Sequence, residues 1–468
     1  MLPDDVLLEI FDFCCFCMDE YVARELYLAY WDSKAANEDI EAWQSLAHVC
    51  RRWRSIIFGS PRRLNLELVC TAKTSARHML DIWPAFPVLI RENECREGID
   101  NIIALLKHRD RVRQINLMEV PSSTLEKVWA AMQEPFPELA HLLLWSDDYR
   151  TAPVFLDSFL GGSAPLLRFL WLDHIPFPSL PKLLLSATHL VDLYLRYIPH
   201  SGYISPEALV TALSTLTSFK SLWLTFQSPQ SHPDQENQRP PPLTRLVLPV
   251  LALLRFEGVS EYLEDLVARI DTPLLDRLDI TFFNQVVFNT PQLAQFISLT
   301  PMSKALAKAH IVYEPLSARV KLLSRTSDFF ELKVGTLCTE LDWQVSSLEQ
   351  VCTSSLPPLS VLEELYIYEK SNYWRPNWQD SNIENTLWLE LLYRFTAVKD
   401  LYLSENVAPY IMSALRELVG DRTTEVLPTL QNIWLEGQPS EPVQETIGQF
   451  IAARQGSSHS IVITRWER

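Results

Sequence analysis

The chain has 468 residues, 47% of them hydrophobic, and a net charge of −17 at pH 7. Because one compact core stops growing at ~250–300 residues, this length predicts either several domains or one elongated array of repeats. The acidic balance excludes bulk binding to nucleic acid, which requires a basic surface. No apolar run approaches the ~20 residues of a membrane-spanning helix, and no basic start or apolar core of a signal peptide opens the chain. We therefore expect a cytoplasmic and/or nuclear protein with reduced thiols and no membrane partner.

Glycine is scarce, with 11 residues in all, and this argues against the common catalytic sites. The phosphate-binding pattern G-x-x-x-x-G-K-[ST], the dinucleotide pattern G-x-G-x-x-G and the hydrolase pattern G-x-S-x-G are absent from the sequence. The cluster of Cys14, Cys15 and Cys17 lacks a second ligand pair at the spacing of a zinc finger. We therefore expect a protein that is not an enzyme and that has no cofactor and no metal site.

A first helix is predicted in "LPDDVLLEIFDFC", from Leu2 to Cys14. Pro3 suits the first turn, where its missing N–H is not needed, and Asp4 and Asp5 lie where the helix dipole favours negative charge. The apolar residues recur at helical spacing and form one broad face: Val6, Leu7, Ile10, Phe11 and Cys14.

A polar insert at about 18–41 precedes a second predicted helix, which ends at "FGSP". Five apolar residues at spacings of 3, 4, 3 and 4 predict one stripe along this helix: Trp43, Leu46, Cys50, Trp53 and Ile57. Arginines crowd the stretch from Arg51 onward and predict a solvated or partner-facing rim.

The pair "LPDDVLLEIF" and "WQSLAHVCRRWRSI" resembles an F-box, a small helical motif that binds the Skp-type adaptor of cullin-RING ubiquitin ligases. The insert between the two halves is a departure from the usual motif, and an ordinary amphipathic helical hairpin is the alternative interpretation. The resemblance implies an adaptor-binding set: Leu2, Pro3, Val6, Leu7, Ile10, Phe11, Leu46, Cys50 and Trp53.

The pattern L-x-x-L-x-L recurs through the rest of the chain, with successive starts mostly 23 to 36 residues apart. Examples are "LAHLLL", "LRFLWL", "LVDLYL", "FKSLWL", "LTRLVL", "LDRLDI", "LEELYI", "VKDLYL" and "LQNIWL". Each is a short strand with alternate residues directed into a core, and the spacing leaves room for one crossover helix per strand. This resembles a leucine-rich-repeat solenoid, although the periods are long and irregular. A plain α/β domain with a parallel sheet is the alternative.

The predicted fold class is therefore α/β, with an N-terminal helical F-box followed by a curved leucine-rich-repeat-like solenoid with a parallel sheet. The predicted domains are the F-box at 1–60, a connecting segment at 61–111 and the solenoid at 112–468. Within the solenoid, the polar and proline-rich stretch at 227–242 is predicted to be a mobile loop, and 284–358 has no assigned register.

The residue between the last two leucine positions of each repeat faces the open side of the sheet. In successive repeats this residue is Leu143, Trp171, Tyr194, Trp223, Val247, Asp279, Tyr366, Tyr402 and Trp434. Acidic residues flank the row at Asp173, Asp192, Glu364, Asp400 and Glu436. One interpretation is a target-binding aromatic ladder of Trp171, Tyr194, Trp223, Tyr366, Tyr402 and Trp434, suited to an extended segment that carries Arg or Lys. The other is that the aromatic residues only stabilise the sheet.

An F-box followed by leucine-rich repeats resembles the substrate receptors of SCF-type cullin-RING ligases, and the overall organisation resembles fungal proteins of this kind. The resemblance implies that the F-box binds the adaptor, and through it the cullin, while the repeats hold a target protein. Two alternatives remain at this point: an adaptor-bound scaffold without a role in ubiquitylation, and an enzyme with an unfamiliar site.

Overall fold

The computed structural model describes residues 2–14, 46–60, 66–73, 75, 80–81, 83, 86–93, 97–148, 153–155, 157–229, 244–284, 288–301, 306–324, 331–370, 378, 383–418, 422, 424–437, 441–454 and 461–466, with backbone alone at 12–14 and 442. The predicted insert at 18–41, Trp43 and the side chains of the cysteine cluster lie outside the described residues. So does the predicted loop from residue 230 onward.

The chain divides into two compact units, Met1–Leu190 and Val191–Arg468. In the first unit, strands β1 to β5 pair in chain order and all run parallel, with Leu68 opposite Val88 and Leu142 opposite Leu170. The helices are α1 (Asp4–Cys14), α2 (Arg51–Gly59), α3 (Ile99–Leu106), α4 (Ser122–Ala131) and α5 (Leu180–Leu184). The strands are β1 (Leu68–Cys70), β2 (Val88–Glu92), β3 (Val112–Val120), β4 (His141–Ser146) and β5 (Phe169–Asp173). Paired strands thus begin at Leu68, inside the stretch predicted as a connecting segment.

The second predicted helix is shorter than its apolar spacing indicates. It begins at Arg51, because the backbone of Cys50 is extended (φ −159°, ψ 169°). The Cys50 Sγ accepts a hydrogen bond from the backbone N–H of Trp53 at 3.4 Å and caps the helix. Leu46 therefore belongs to a separate turn, and the prediction of one continuous stripe through Leu46, Cys50 and Trp53 is wrong.

In the second unit, eleven of the described strands pair in the order β6-β7-β9-β11-β14-β13-β12-β15-β16-β17-β18. These strands are β6 (Asp192–Ile198), β7 (Ser221–Phe226), β9 (Leu253–Gly258), β11 (Arg277–Phe282), β12 (Leu306–Glu314), β13 (Ser317–Ser324), β14 (Glu331–Leu337), β15 (Glu364–Glu369), β16 (Asp400–Leu403), β17 (Asn432–Glu436) and β18 (Val462–Trp466). The helices are α6 (Pro206–Leu213), α7 (Ser260–Val267), α8 (Pro291–Leu299), α9 (Leu341–Ser354), α10 (Asn385–Leu392), α11 (Ala408–Arg416) and α12 (Glu441–Arg454). Short 3-10 turns occur at Phe159–Gly162, His200–Gly202 and Leu359–Val361.

The α/β class and the mostly parallel pairing are confirmed, but the sheet is not parallel throughout. Strands β12, β13 and β14 form an antiparallel meander, in which β13 pairs with β12 on one side and with β14 on the other. Only Pro315 and Leu316 separate β12 from β13, and two residues cannot hold the crossover that a parallel pair needs. This meander lies within the stretch 284–358, for which the repeat pattern gave no register.

The leucine positions of the pattern build the core. Leu365, Ile367, Leu401 and Leu403 are fully buried, while the residues that alternate with them are half-exposed. Helices α9 to α12 pack side by side, and α9 packs on β13 and β14. The second unit is therefore a helical layer against one face of a sheet, and the other face of that sheet is its more open side.

One predicted strand lies elsewhere. The segment "LTRLVL" contributes only β8 (Leu246–Val247), which pairs with β10 (Ile270–Asp271) in a separate two-stranded sheet. Its predicted place beside β7 is taken by β9, so Arg255 instead of Val247 lies opposite Trp223. Val247 is 52% exposed and does not belong to the row.

Candidate protein-binding surfaces

The first candidate surface is an apolar stripe on α1. Leu2, Val6 and Ile10 are 51%, 41% and 41% exposed, and Pro3 is exposed beside them. Val6 and Ile10 are four residues apart on α1, so their side chains lie above one another on one face, and Leu2 stands just before the helix, which begins at Asp4. We call Leu2, Val6 and Ile10 the α1 stripe.

The other side of α1 is packed against α2. Leu7, Leu8 and Phe11 are buried, and the ring of Phe11 meets that of Trp53 edge-on, with 4.8 Å between centroids. Arg52 holds the start of α1 through its Nη2, which is 2.6 Å from Asp4 Oδ1 and 2.5 Å from the Leu2 carbonyl oxygen. This packing fixes the direction in which the α1 stripe faces.

The nine residues predicted to bind an adaptor therefore divide into two groups. Four of them are exposed, with Leu2 and Pro3 just before α1 and Val6 and Ile10 on it. Leu7 and Phe11 lie inside the helix pair, Leu46 and Trp53 are half-buried, and Cys50 is exposed as the helix cap. A partner would meet the exposed group, while the buried residues hold it in place.

The second candidate surface is the open face of the sheet in the second unit. Strand register brings His310, Tyr366, Tyr402 and Trp434 into one row. The centroid distances between successive rings are 4.3, 4.0 and 5.3 Å, and the angles between their planes are 18°, 8° and 8°. We call these four residues the ring stack. His310 belongs to it although the sequence pattern did not identify that residue.

The faces of the inner rings are already occupied. Tyr366 and Tyr402 each have a ring on both faces, and Trp466 meets them edge-on at 5.7 and 5.5 Å. An aromatic ring carries partial negative charge on its faces and partial positive charge at its edge. The outward-facing edges therefore favour contact with negatively charged groups. Only the two end rings of the stack, His310 and Trp434, could stack on a guanidinium or ammonium group.

The acidic flank of the ring stack also has partners. Tyr366 donates its hydroxyl to Glu364 Oε2 at 2.9 Å, and Lys308 Nζ lies 2.8 Å from the same oxygen. Asp400 Oδ1 accepts from Trp434 Nε1 at 3.1 Å and from Asn432 at 2.7 Å. Burial, followed by the hydrogen bond to Glu364, raises the pKa of Tyr366 above its usual value. These contacts lock the rings in place.

At the other end of this face, Tyr194 and Trp223 are only 3% and 8% exposed. The guanidinium carbons of Arg255 and Arg196 lie 4.2 and 4.9 Å from the centroid of Trp223, in cation–π contact. Trp223 also donates its Nε1–H to Thr225 at 2.7 Å. A ligand would therefore meet the two arginines before it meets the indole ring.

The remaining predicted target-binding residue, Trp171, lies in the first unit. It is half-exposed on β5 opposite Leu143 of β4, and Leu143 is buried. Its ring is tilted toward Phe169, with 6.4 Å between centroids, and Phe169 stacks with His141 at 6.1 Å. This is a second and smaller aromatic cluster on its own unit.

Between the ring stack and Trp223 lies a group of charged residues, of which the sequence pattern identified only Asp279. In register order, Arg255, Asp279, Lys333 and Lys321 continue the row to His310. Burial, together with nearby Lys321 and Lys308, lowers the pKa of His310 to about 4. Most of these charges are paired, with Arg255 Nε 3.6 Å from Asp279 Oδ2 and Lys333 Nζ 2.6 Å from Glu331 Oε2.

The second unit also has a hollow, between α9, α10 and the segment 418–426. It is lined by charged groups that pair with one another, with Arg394 Nη2 3.0 Å from Glu349 Oε1 and Arg422 Nε 3.4 Å from Glu425 Oε2. Among the described residues there is no group of three His, Cys, Asp or Glu side chains that could hold a metal ion. Within the same residues, the helices are too short or too polar to cross a membrane.

The chain matches no protein-family model, and a search of curated proteins found no match.

Proposed function

We propose that this protein is a non-catalytic binding subunit of an SCF-type cullin-RING ubiquitin ligase. The helix pair at 2–60 acts as an F-box that docks on a Skp-type adaptor, and through it on the cullin. The strand–helix units act as a leucine-rich-repeat-like solenoid that holds a target protein. The observation that carries this proposal is the α1 stripe, three exposed apolar side chains on and just before a helix whose opposite side is packed.

The physical argument for a partner at the α1 stripe rests on burial and on preorganisation. Covering apolar surface yields roughly 25 cal/mol per Å², and large side chains grouped in one row mark an interaction site better than scattered ones do. Since Phe11, Trp53 and Arg52 already hold the helix in place, little further ordering opposes binding.

In this role the protein contributes proximity. A target held on the sheet of the second unit is kept at a high effective concentration beside the ubiquitin-carrying enzyme recruited by the cullin. Such a role needs no catalytic group of its own and depends only on two surfaces that bind at the same time.

The test is co-purification of the full chain with a Skp-type adaptor. Ile10→Asp places a charge in the α1 stripe, and we expect it to abolish co-purification while the melting temperature stays within ~2 °C of the wild type, since an exposed site far from the core is changed. Leu316→Asp is the matched control, because Leu316 is 65% exposed in the β12–β13 turn of the other unit. This control should co-purify normally.

Equal co-purification of Ile10→Asp and the wild type would contradict the proposal. Normal adaptor binding without ubiquitylation of any bound protein in a reconstituted ligase would instead identify an adaptor-bound scaffold.

A further inference from the structure

Strand β18 forms one edge of the sheet in the second unit. Among the residues that the structure describes, β17 is its one partner. Val462 donates its backbone N–H to the carbonyl oxygen of Gln431 at 2.9 Å. The backbone groups of successive residues in a strand point to opposite sides, so the N–H and C=O groups of Ile463 and Arg465 point away from β17.

The side chains of this edge are apolar on both faces of the sheet. Val462 is 52% exposed on the open face, which it shares with Trp466, and Ile463 is 47% exposed on the helical face. The sequence of the strand, VITRW, is rich in residues that favour extended backbone. It contains neither lysine nor proline, which commonly protect an edge strand from pairing. The described edge is therefore suited to pairing with a further strand.

The helical layer beside this edge ends in a polar surface. Helix α12 packs on α11 and buries Val443, Ile447 and Phe450. Its opposite side exposes Glu445 and Gln449, where the Gln449 amide donates to Glu445 Oε1 at 3.2 Å. A further strand–helix unit would have to pack its helix on these polar groups, whereas an extended segment without a helix would not. A second copy of this chain is also disfavoured, because each copy carries a net charge of −17.

We propose that β18 receives an extended segment of the target protein, which pairs with it as an added antiparallel strand. The inference rests on the proposed function, because it specifies how the sheet of the second unit holds the target. Backbone hydrogen bonds to Ile463 and Arg465 supply the attachment, and the side chains at alternate positions of the segment supply the selectivity.

The residues of β18 define the chemistry of that segment. On the helical face, an aliphatic residue lies beside Ile463, and a carboxylate lies beside Arg465, which is exposed and has no ion pair within the described part of the chain. On the open face, β-branched residues lie beside Val462 and Thr464. Cross-strand pairs of these kinds stabilise a sheet. In the antiparallel direction, the segment therefore has an acidic residue two positions before an aliphatic one, with β-branched residues around them.

The experiment uses the full chain and the fluorescein-labelled peptide Gly-Thr-Glu-Thr-Val-Thr-Gly, in which Glu faces Arg465 and Val faces Ile463. Fluorescence anisotropy should show saturable binding. Residues directly opposite Ile463 and Arg465 exchange both backbone hydrogen bonds with them, so N-methylation of the Glu and Val amides should weaken binding about tenfold or more. The matched control is N-methylation of the two Thr residues that flank Glu. Their N–H groups point away from β18, so this change should leave binding nearly unchanged.

Two changes in the protein test the same edge. Ile463→Pro removes a backbone N–H that does not bond to β17, and edge strands tolerate proline at such a position. It should weaken binding about tenfold, because it removes a hydrogen bond and an aliphatic contact together. Arg465→Glu should weaken binding of the original peptide and favour a peptide that has Lys in place of Glu.

A second variant covers the case in which proline prevents folding. Ile463→Lys places a charge beside the aliphatic residue of the peptide and should also weaken binding. Leu299→Lys is its matched control, because Leu299 is 61% exposed at the end of α8, and it should bind normally. Circular dichroism checks the fold of each variant.

The inference is overturned if the wild type does not bind the peptide, or if the two methylated peptides bind equally well. It is equally overturned if the folded variants at Ile463 and Arg465 bind the original peptide as the wild type does. Sedimentation velocity tests the competing occupant: a wild-type dimer that Ile463→Pro converts to a monomer would identify a second copy of this chain at the edge and overturn the inference.

Adaptor co-purification is measured on the same proteins, so failure of this inference and failure of the proposed function are distinguishable. Lost peptide binding with retained adaptor binding leaves the proposed function intact. Ile10→Asp should lose the adaptor while it still binds the peptide.

Discussion

His310 occupies the junction between the ring stack and the cations of the meander. Its ring lies against Tyr366, its Nδ1 is 3.3 Å from the hydroxyl of Tyr368, and Lys321, Lys308 and Glu364 surround it. Burial is the main cause of its low pKa, and the two lysines add to it. The imidazole is therefore neutral in the folded protein at physiological pH.

This arrangement predicts an acid-sensitive contribution to stability. Because the pKa of His310 is about 4 when folded and ~6.5 when unfolded, the unfolded chain takes up the proton first as the pH falls. The free energy of unfolding should decrease from about pH 6.5 downward and level off below pH 4, by at most about 3 kcal/mol. His310→Phe keeps a ring for stacking and should lose less stability over this range in urea unfolding at several pH values. Identical acid profiles of variant and wild type would show that His310 titrates normally.

Single residues also show what the sequence pattern could identify. It placed Tyr366, Tyr402 and Trp434 in one row, and their register bears this out. It missed Arg255 and His310 because their segments, "LALLRF" and "LAKAHI", have Phe256 and Ala309 where the pattern requires leucine. Burial is what the pattern measures, and phenylalanine or alanine can be buried as well as leucine.

The ring stack is the element that ties β12, β15, β16 and β17 together on the open face. Tyr402 is central to it, with Tyr366 at 4.0 Å, Trp434 at 5.3 Å and Trp466 at 5.5 Å between centroids. Aromatic pairs add ~0.5–1.5 kcal/mol each beyond their buried area, so three contacts on one ring are a substantial contribution.

Tyr402→Ala should therefore lower the free energy of unfolding of the second unit by about 3 kcal/mol. Tyr402→Phe keeps the ring and loses only the side-chain hydrogen bond between Tyr402 and Tyr366. It should therefore cost less than about 1 kcal/mol. Urea unfolding followed by tryptophan fluorescence measures both. If the alanine variant costs no more than the phenylalanine variant, the stack does not stabilise the sheet, and a ligand-binding role for its rings becomes the better explanation.

Apolar spacing alone predicts where helices and strands lie, but not where backbone conformation ends a helix or sets the direction of a strand. The apolar spacing around Cys50 indicated a continuous helix, but the extended backbone of that residue and its thiol cap start a new one. Likewise, the alternation of Ala318, Val320 and Leu322 with charged residues indicates a strand. Its antiparallel direction follows only from the two-residue connection at Pro315 and Leu316.

On the scale of the whole chain, the proline-rich stretch predicted as a loop provides a test that needs no partner. Its polar and proline-rich sequence predicts a loop that buries little apolar surface. Limited proteolysis of the native protein should cut between Gln227 and Pro242 before it cuts any strand, since exposed polar tips are nicked first. Mass spectrometry of the first fragments identifies the site, and early cleavage within β5 or β6 would contradict the assignment of those segments to a packed sheet.

The repeat pattern predicted the mostly parallel pairing but not how the chain divides. The division falls between Leu190 and Val191 along the chain, inside the segment "LVDLYL", whose sequence is typical of the other repeats. A repeat pattern records the core positions within each strand–helix unit, and these positions look alike on both sides of the division. Where one unit ends depends on contacts distant in sequence, which no local pattern contains.

The antiparallel meander affects how the second unit unfolds locally. In an array where each strand pairs with the one before it, opening can begin at an end and stop at any strand. Here β11 and β12 follow each other along the chain, yet β14 and β13 lie between them, so β11 and β12 each lose one of their two partners if β13 and β14 separate from the sheet. Strands β11, β12, β13 and β14 should accordingly exchange their amide hydrogens as one cooperative block. Strand β18, whose described partner is β17 alone, should exchange independently and sooner.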